Sequence, residues 1–191
     1  MPTTGTASIP VGRQVRDLRR ARGMRIAGLA AAIGRSVGHV SQVERGLSPI
    51  TIPDLKKIAD ALGVEINWFF QGQALAPEAE RDFVVRAANR RELTYSGTGV
   101  REELLSPHLH GAFELVMTSL EPGANSGPPY RRTGEEGGLV LEGELELQIG
   151  ERHFRLAAGD SFSFASTELH RCANPGAVAT RVLWVISPPS Y

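Results

Sequence analysis

The hydrophobic spacing of this chain changes once, and that change limits it to two differently built halves. Up to about residue 70, apolar residues recur three and four positions apart, the repeat of a helix with one buried face. From Asp82 onward they recur every second position, the repeat of a strand. In the first half, Val11, Val15 and Leu18 predict a helix over 10–22, and Leu29, Ala30 and Ile33 one over 26–33. A third follows at 51–62, with Thr51 as N-cap, Pro53 in the first turn and Leu55, Ile58, Ala59 and Leu62 on one face. The pattern runs on over 65–70, where Ile66, Trp68, Phe69 and Phe70 can close a small core.

Between the second and third of these lies RSVGHVSQVERG, residues 35–46. Both ends of a short helix are marked here. The Ser36 hydroxyl can accept a bond from an orphaned N–H, and Gly46 can take the left-handed conformation that ends a helix. Val37, Val40 and Val43 form one stripe; Ser36, His39, Gln42 and Arg45 form the opposite face, short, polar and suited to base edges. The link 34–36 is a tight Gly-containing turn, so two short helices meet there as a helix-turn-helix.

Residues 11–70 resemble the lambda-repressor-like helix-turn-helix domain of the XRE family. The resemblance is carried by VGRQVRDLRRARGM, LAAAIGRSVGHVSQVERG and DLKKIADALGV. The chain departs from the pattern at Arg25, where the family has Thr or Ser, and at Gly28, where it has Glu or Gln. The second helix therefore lacks a good cap and carries a Gly costing about 1 kcal/mol relative to Ala. The resemblance implies five helices, double-stranded DNA as partner and DNA contacts from Arg25, Arg35, Ser36, Val37, His39, Gln42 and Arg45. Arg13, Arg25 and Arg35 are the expected phosphate contacts.

In the second half, strands are expected at 83–85, 91–95, 100–105, 112–120, 137–141, 144–149, 153–156, 161–164, 169–173 and 180–186, separated by Gly-, Pro- and Asn-bearing turns. Many short strands at even spacing imply a sandwich or small barrel. Residues 120–187 look like a cupin, a double-stranded jelly-roll barrel. Glu136 and Gly143 match the end of that family's first motif; Gly159, Asp160, His170 and Asn174 match the second, with Ala165 and Thr167 replacing its Pro and Gly. The fold expected is thus α + β in two domains, a helix-turn-helix domain at 9–72, a linker at 73–80 (QALAPEAE lies within it, from Gln73) and an all-β cupin at 81–191.

Metal-binding cupins hold the ion with a His-x-His and the Glu of the first motif and the His of the second. Here the two His positions fall on Tyr130 and Arg132. A guanidinium has no lone pair to donate and sets a fixed cation where the metal would sit. Only Glu136 and His170 remain, and two protein ligands rarely hold zinc, iron or nickel firmly. A second His-x-His, His108 and His110 with Glu114 four residues on, precedes Pro122-Gly123 and reads as two surface histidines after Pro107 rather than a metal site. The expectation is no metal, no cofactor and no catalytic residue, with a ligand pocket built from Tyr130, Arg132, Glu136, Phe164, His170 and Trp184.

Charge separates the halves. The chain balances 21 basic against 21 acidic residues, but residues 1–72 hold ten Lys/Arg against five Asp/Glu, and 73–191 hold eleven against sixteen. A basic first domain beside an acidic second one suits a DNA reader joined to something else. Cys172 is the single cysteine, so no intrachain disulfide can form, and its apolar surroundings suggest a small packed residue. No run approaches a membrane span, and MPTTGTASIP lacks the shape of a secretory signal. These readings lead to a cytoplasmic, homodimeric transcriptional regulator, in the first place a repressor, binding an inverted-repeat operator and sensing a small organic ligand. The alternatives are a metal-dependent cupin oxygenase or epoxidase, and a DNA-binding protein whose cupin only dimerises it.

Overall fold

A computed structural model of the chain describes residues 11–71, 76–95 and 98–190, with only the backbone of 93–95. Residues 1–10, positions 73–75 of the expected linker and Gly97, before the strand expected at 100–105, lie outside the described residues. The chain forms two compact units. One comprises residues up to Arg91 together with Pro107–His110; the other comprises Glu92–Ser106 and Gly111–Ser190.

Among the described residues the first unit contains four α-helices: α1 (Val11–Ala21), α2 (Ile26–Ile33), α3 (Val37–Glu44) and α4 (Ile52–Leu62). The fifth helix expected from the resemblance is a 3-10 helix, Ile66–Phe70. The segment is five residues long, too short for a run of i→i−4 bonds, and Trp68 N–H donates instead to the Glu65 carbonyl at 3.0 Å. Trp68 and Phe69 are both buried, packed edge to face with centroids 5.2 Å apart. They close a core of Val15, Leu18, Leu29, Ile33, Val40, Val43, Leu55, Ile58 and Leu62. Val37 is not in it: the expected stripe on α3 is confined to Val40 and Val43, and Val37 is 46% exposed.

The caps follow the sequence. Ser36 Oγ accepts from His39 N–H at 3.1 Å and Thr51 Oγ1 from Asp54 N–H at 3.2 Å, while Arg25, at the N-cap of α2, makes no side-chain cap bond. Packing holds α2 instead, through buried Leu29, Ala30 and Ile33. Helices α1 and α3 touch through backbone: a Cβ built on Gly12 would lie 1.8 Å from the Val43 carbonyl oxygen. Only Gly permits that approach.

The second unit is two antiparallel sheets. The six-stranded one has the order β1 (Arg91–Tyr95), β2 (Val100–Leu104), β3 (Glu114–Leu120), β9 (Thr180–Ser187), β4 (Glu135–Glu142), β7 (Ser161–Ala165). The three-stranded one is β6 (Arg152–Ala157), β5 (Glu144–Ile149), β8 (His170–Ala173). Single bridges Asn125–Ala173 and Tyr130–His170 lay segment 125–130 beside β8. The strand expected at 83–85 does not form. Phe83 is 82% exposed, and its N–H and that of Val84 return to the Glu80 carbonyl in a turn. Three apolar residues gave a strand signal, but the preceding turn takes up the backbone donors.

Register fixes what faces inward. Glu136 pairs with Ile186 and Phe164, and Ile186 with Glu114; one step along, Trp184 pairs with Val116 and Gly138; the next row holds Glu102, Thr118, Val182 and Val140. These rows share the face that carries buried Val116, Val140, Val182 and Trp184.

Two glycine substitutions should act in opposite directions. Gly28→Ala places its methyl 3.6 Å from Met24 Cγ, ordinary contact, and should stabilise by about 1 kcal/mol. Gly12→Ala must push α1 off α3 and should destabilise by about 1–3 kcal/mol. Urea unfolding midpoints test both, and a neutral Gly12→Ala would contradict the backbone contact.

Candidate functional site

On the first unit, the functional candidates sit on or beside α3. Ser36, Val37, Gln42 and Arg45 are exposed and His39 is half-buried. The Ser36 hydroxyl is engaged as the cap, and Arg45 Nε donates to the Ser41 carbonyl at 3.2 Å, which folds its guanidinium back along the helix. Gln42 and Val37 project with no such engagement: an amide able to pair with adenine and an apolar group able to meet a thymine methyl. Arg25 is exposed at the start of α2. Arg35 is committed elsewhere. It grips the buried Asp54 carboxylate with Nε and Nη2, at 2.9–3.2 Å, and so pins the turn between α2 and α3 to the first turn of α4. That hydrogen bond holds the Asp54 carboxyl below its usual range. Arg13 lies 3.5 Å from Asp82. A pair that sequence reasoning missed sets the angle of α3: Arg19 and Glu44, both buried, joined by two hydrogen bonds of 2.6 and 2.9 Å. The signal was present, since Arg19 falls on the buried side of α1 beside Leu18.

The second unit brings five of the six expected pocket residues together. His170 is clamped between the rings of Tyr130 and Phe164, at centroid distances of 4.4 and 4.9 Å. Its Nδ1 lies 2.8 Å from the Glu168 carbonyl, an acceptor, so Nδ1 carries a proton. Its Nε2 faces Glu136 Oε1 at 3.4 Å, and Arg132 Nε approaches the same oxygen at 3.7 Å. Both are longer than good charge-assisted hydrogen bonds. Glu136 Oε1 and His170 Nε2 are buried with no hydrogen-bond partner among the described residues. Burial pushes the Glu136 carboxyl up, but His170, Arg132 and Ser166 outweigh it and hold it below its usual range. Burial drives the Tyr130 phenol well up, so it stays a protonated donor. Trp184, the sixth residue, stands one step further in and reaches the group through Phe162, 4.9 Å away.

Three further residues belong here that sequence reasoning did not assign to the pocket. Ser190 Oγ accepts from Arg132 Nη1 at 2.6 Å, and its N–H donates to Glu114 Oε1 at 2.9 Å. Glu114 is fully buried. Glu102 lines a pocket of about 220 Å³ with Val100, Asn125, Ser126, Tyr130 and Arg132. The alternation of β2 carried the signal for Glu102, which lies two residues from buried Val100 and Leu104.

His108 and His110 stack at 3.7 Å, and His110 Nδ1 lies 3.1 Å from Asp17 Oδ2. No group of three or more His, Cys, Asp or Glu among the described residues is placed to hold a metal ion. Cys172 is buried, and burial pushes its thiol up to about 12. No helix of the described residues is long and apolar enough to cross a membrane.

Two domain families match this chain: a helix-turn-helix over residues 15–69 and a cupin domain over residues 116–186. The chain joins a helix-turn-helix domain to a cupin domain. It is 25% identical over 182 residues to the HTH-type transcriptional regulator PuuR of Escherichia coli K12, a match covering 94% of this chain and 96% of that protein. It is 28% identical over 163 residues to SutR of the same organism, another HTH-type transcriptional regulator, covering 85% of each. Among solved structures, the hydroxypropylphosphonic acid epoxidase of S. wedmorenis is 22% identical, covering 95% of this chain and 99% of that one with a TM-score of 0.46.

The cupin site makes a pH prediction. A carboxyl lowered in the folded state binds its proton more weakly there than in the unfolded chain. Its stabilisation is therefore complete above the ordinary value of 4.5 and is lost as pH falls through the lower folded value. Urea unfolding at a series of pH values should show acid destabilisation below that point, and Glu136→Gln should flatten it. An unchanged acid limb would assign the loss to other carboxylates.

Proposed function

We propose that the protein is a sequence-specific DNA-binding transcriptional regulator, in the first place a repressor, whose cupin domain senses a small organic ligand. It acts in the cytoplasm as a homodimer on an inverted repeat of double-stranded DNA. The observation that carries the DNA half is the exposed face of a capped α3: Val37 and Gln42 project from it, with Arg45 exposed at its C-terminal end. The relatives' names agree with it. The working boundaries are 9–72 for the DNA-binding domain, 73–80 for the linker and 81–191 for the cupin, read as a double-stranded jelly-roll barrel. A single small domain reads few base pairs, so two half-sites about 34 Å apart, or a multiple of that, are expected.

The ligand half rests on the unsatisfied pair in the cupin. His170 Nε2 and Arg132 Nε stop 3.4 and 3.7 Å from Glu136 Oε1, too far to satisfy it. An external N–H or O–H donor reaching that oxygen would complete its hydrogen bonding. Three carboxylates, Glu102, Glu114 and Glu136, sit on the inward rows, and the Arg132 guanidinium lies 3.7 Å from Glu136 and lines the pocket with Glu102. That balance favours a zwitterion such as an amino acid over a simple acid. Its carboxylate would meet Arg132 and Tyr130, and its ammonium Glu136. We assign no enzymatic activity and no metal. Tyr130 and Arg132 occupy the positions where metal-binding cupins place His, and this donor set does not fit an ion.

Gln42→Ala should cost about 1–3 kcal/mol at one base step and relax preference there, as read by selection from a random duplex pool. Unchanged preference would remove Gln42 from the readout. Arg132→Ala should abolish the effect of amino acids on DNA affinity while leaving ligand-free binding intact. If the ligand response survives that change, the sensor lies elsewhere.

A further inference from the structure

The face of α1 opposite the core carries Arg13, Arg16 and Arg20, and with Arg45 it lines a cleft of about 600 Å³ within the first unit. The acids in that cleft are engaged. Glu44 is held by both arms of buried Arg19, and Asp17 Oδ2 is 3.1 Å from His110. Arg13 has Asp82 at 3.5 Å. Arg16, Arg20 and Arg45 have no carboxylate within ion-pair distance among the described residues. Arg16 and Arg20 stand four apart on one helix, an arrangement of like charges that is itself unfavourable. A concave wall of one sign concentrates counter-ions of the other.

We propose that this cleft binds phosphates of the DNA backbone outside the segment read by α3, with Arg16 and Arg20 as the contacts. Arg45 belongs to both surfaces. It ends the base-reading face of α3 and lines the cleft, so the cationic cleft continues the reading surface rather than standing apart from it. The guanidinium fork suits phosphate oxygens, and a cleft without free carboxylates leaves that charge unspent. The inference rests on the DNA-binding reading and adds two contacts that the α3 face does not supply.

The test uses the full chain and a short random-sequence duplex, with affinity measured over a salt series. The double variant Arg16→Gln/Arg20→Gln should lower the salt slope by about two units, near 0.9 per lost phosphate contact. It should weaken binding on every sequence and leave the base preference set by α3 unchanged. Its thermal midpoint should not fall below that of the parent, since neither guanidinium has a carboxylate partner among the described residues. Arg22→Gln, outside the cleft, serves as the control for general charge. An equal slope change per arginine in that control would overturn the proposal, as would an unchanged slope in the double variant of a protein that still binds DNA. Failure of the parent chain to bind any duplex would instead overturn the regulatory reading and this inference with it. Thermal shift with tripolyphosphate and no DNA separates the other source of phosphate. Stabilisation lost in the double variant, with an unchanged DNA slope, would assign the cleft to a free polyanion and overturn the DNA assignment.

Discussion

The buried pair of Arg19 and Glu44 fixes where α3 points, and much of the first unit depends on it. Three donors of one guanidinium are spent in a single plane: Nε and Nη2 on the Glu44 carboxylate, Nη1 on the Met24 carbonyl at 2.8 Å. That ties α1 to the end of α3 and also to the turn that begins α2. Desolvating both charges is costly, and a hydrophobic pair of the same shape could be equally stable. What apolar packing would not supply is direction. A fork bound by three acceptors cannot slide along a helix, whereas Val40 and Val43 could settle against α1 at more than one angle. Gly12, against the Val43 carbonyl, removes the remaining freedom by leaving no side chain to act as a spacer. The exposed residues of α3 inherit their position from these two contacts.

The cupin domain solves a different problem with register. A two-residue repeat places Glu102, Glu114 and Glu136 on the inward face once the strands are aligned, and a slip of one residue would expose all three. Burying carboxylates is tolerable only where each meets a donor or a cation. Ser190 serves Glu114 directly and Arg132 through its hydroxyl, so one residue near the end of β9 links the two. Glu136 is served less completely: Arg132 and His170 are near enough to hold its charge but too far to close its hydrogen bonds. An apolar interior would have been easier to satisfy, so the polar cluster points to something other than stability.

How much of this could be read beforehand differs between the halves for physical reasons. Helix ends and the turn between α2 and α3 were legible because local chemistry decides them: the Ser36 and Thr51 caps, the uncapped Arg25, the left-handed Gly34 and Gly46. Most strands were legible through alternation. The strand expected at 83–85 failed because three apolar residues say nothing about where their N–H groups go. The 3-10 form of Ile66–Phe70 escaped notice because length and termination, rather than periodicity, decide it. In the site, the resemblance to the cupin motifs brought Tyr130, Arg132, Glu136 and His170 forward, and they do converge. Glu102, Glu114 and Ser190 were missed because their roles depend on register between strands far apart in sequence. Val37 was read both as core and as a DNA contact; its exposure removes the first role.

Formal charge turns out to be a coarse guide to where a polyanion would be held. The first 72 residues carry an excess of five positive charges, yet the arginines behind it are not equivalent. Arg19 is buried in its own ion pair, Arg35 neutralises Asp54, and Arg13 leans toward Asp82. The charge available to a partner is concentrated where acids are absent or already taken, on the outer face of α1 and at the end of α3. Two arginines separated by one helical turn repel each other weakly in water. Their attraction to a phosphate between them is stronger, because counter-ions are released from the nucleic acid as it binds. A surface that is slightly unfavourable alone and favourable against a polyanion is thereby biased toward the bound state. The same local accounting reverses the sign in the cupin interior, where one guanidinium stands among three carboxylates. The proposed phosphate cleft and the proposed ligand pocket would thus differ in the sign of charge they prefer, although the chain has no formal net charge.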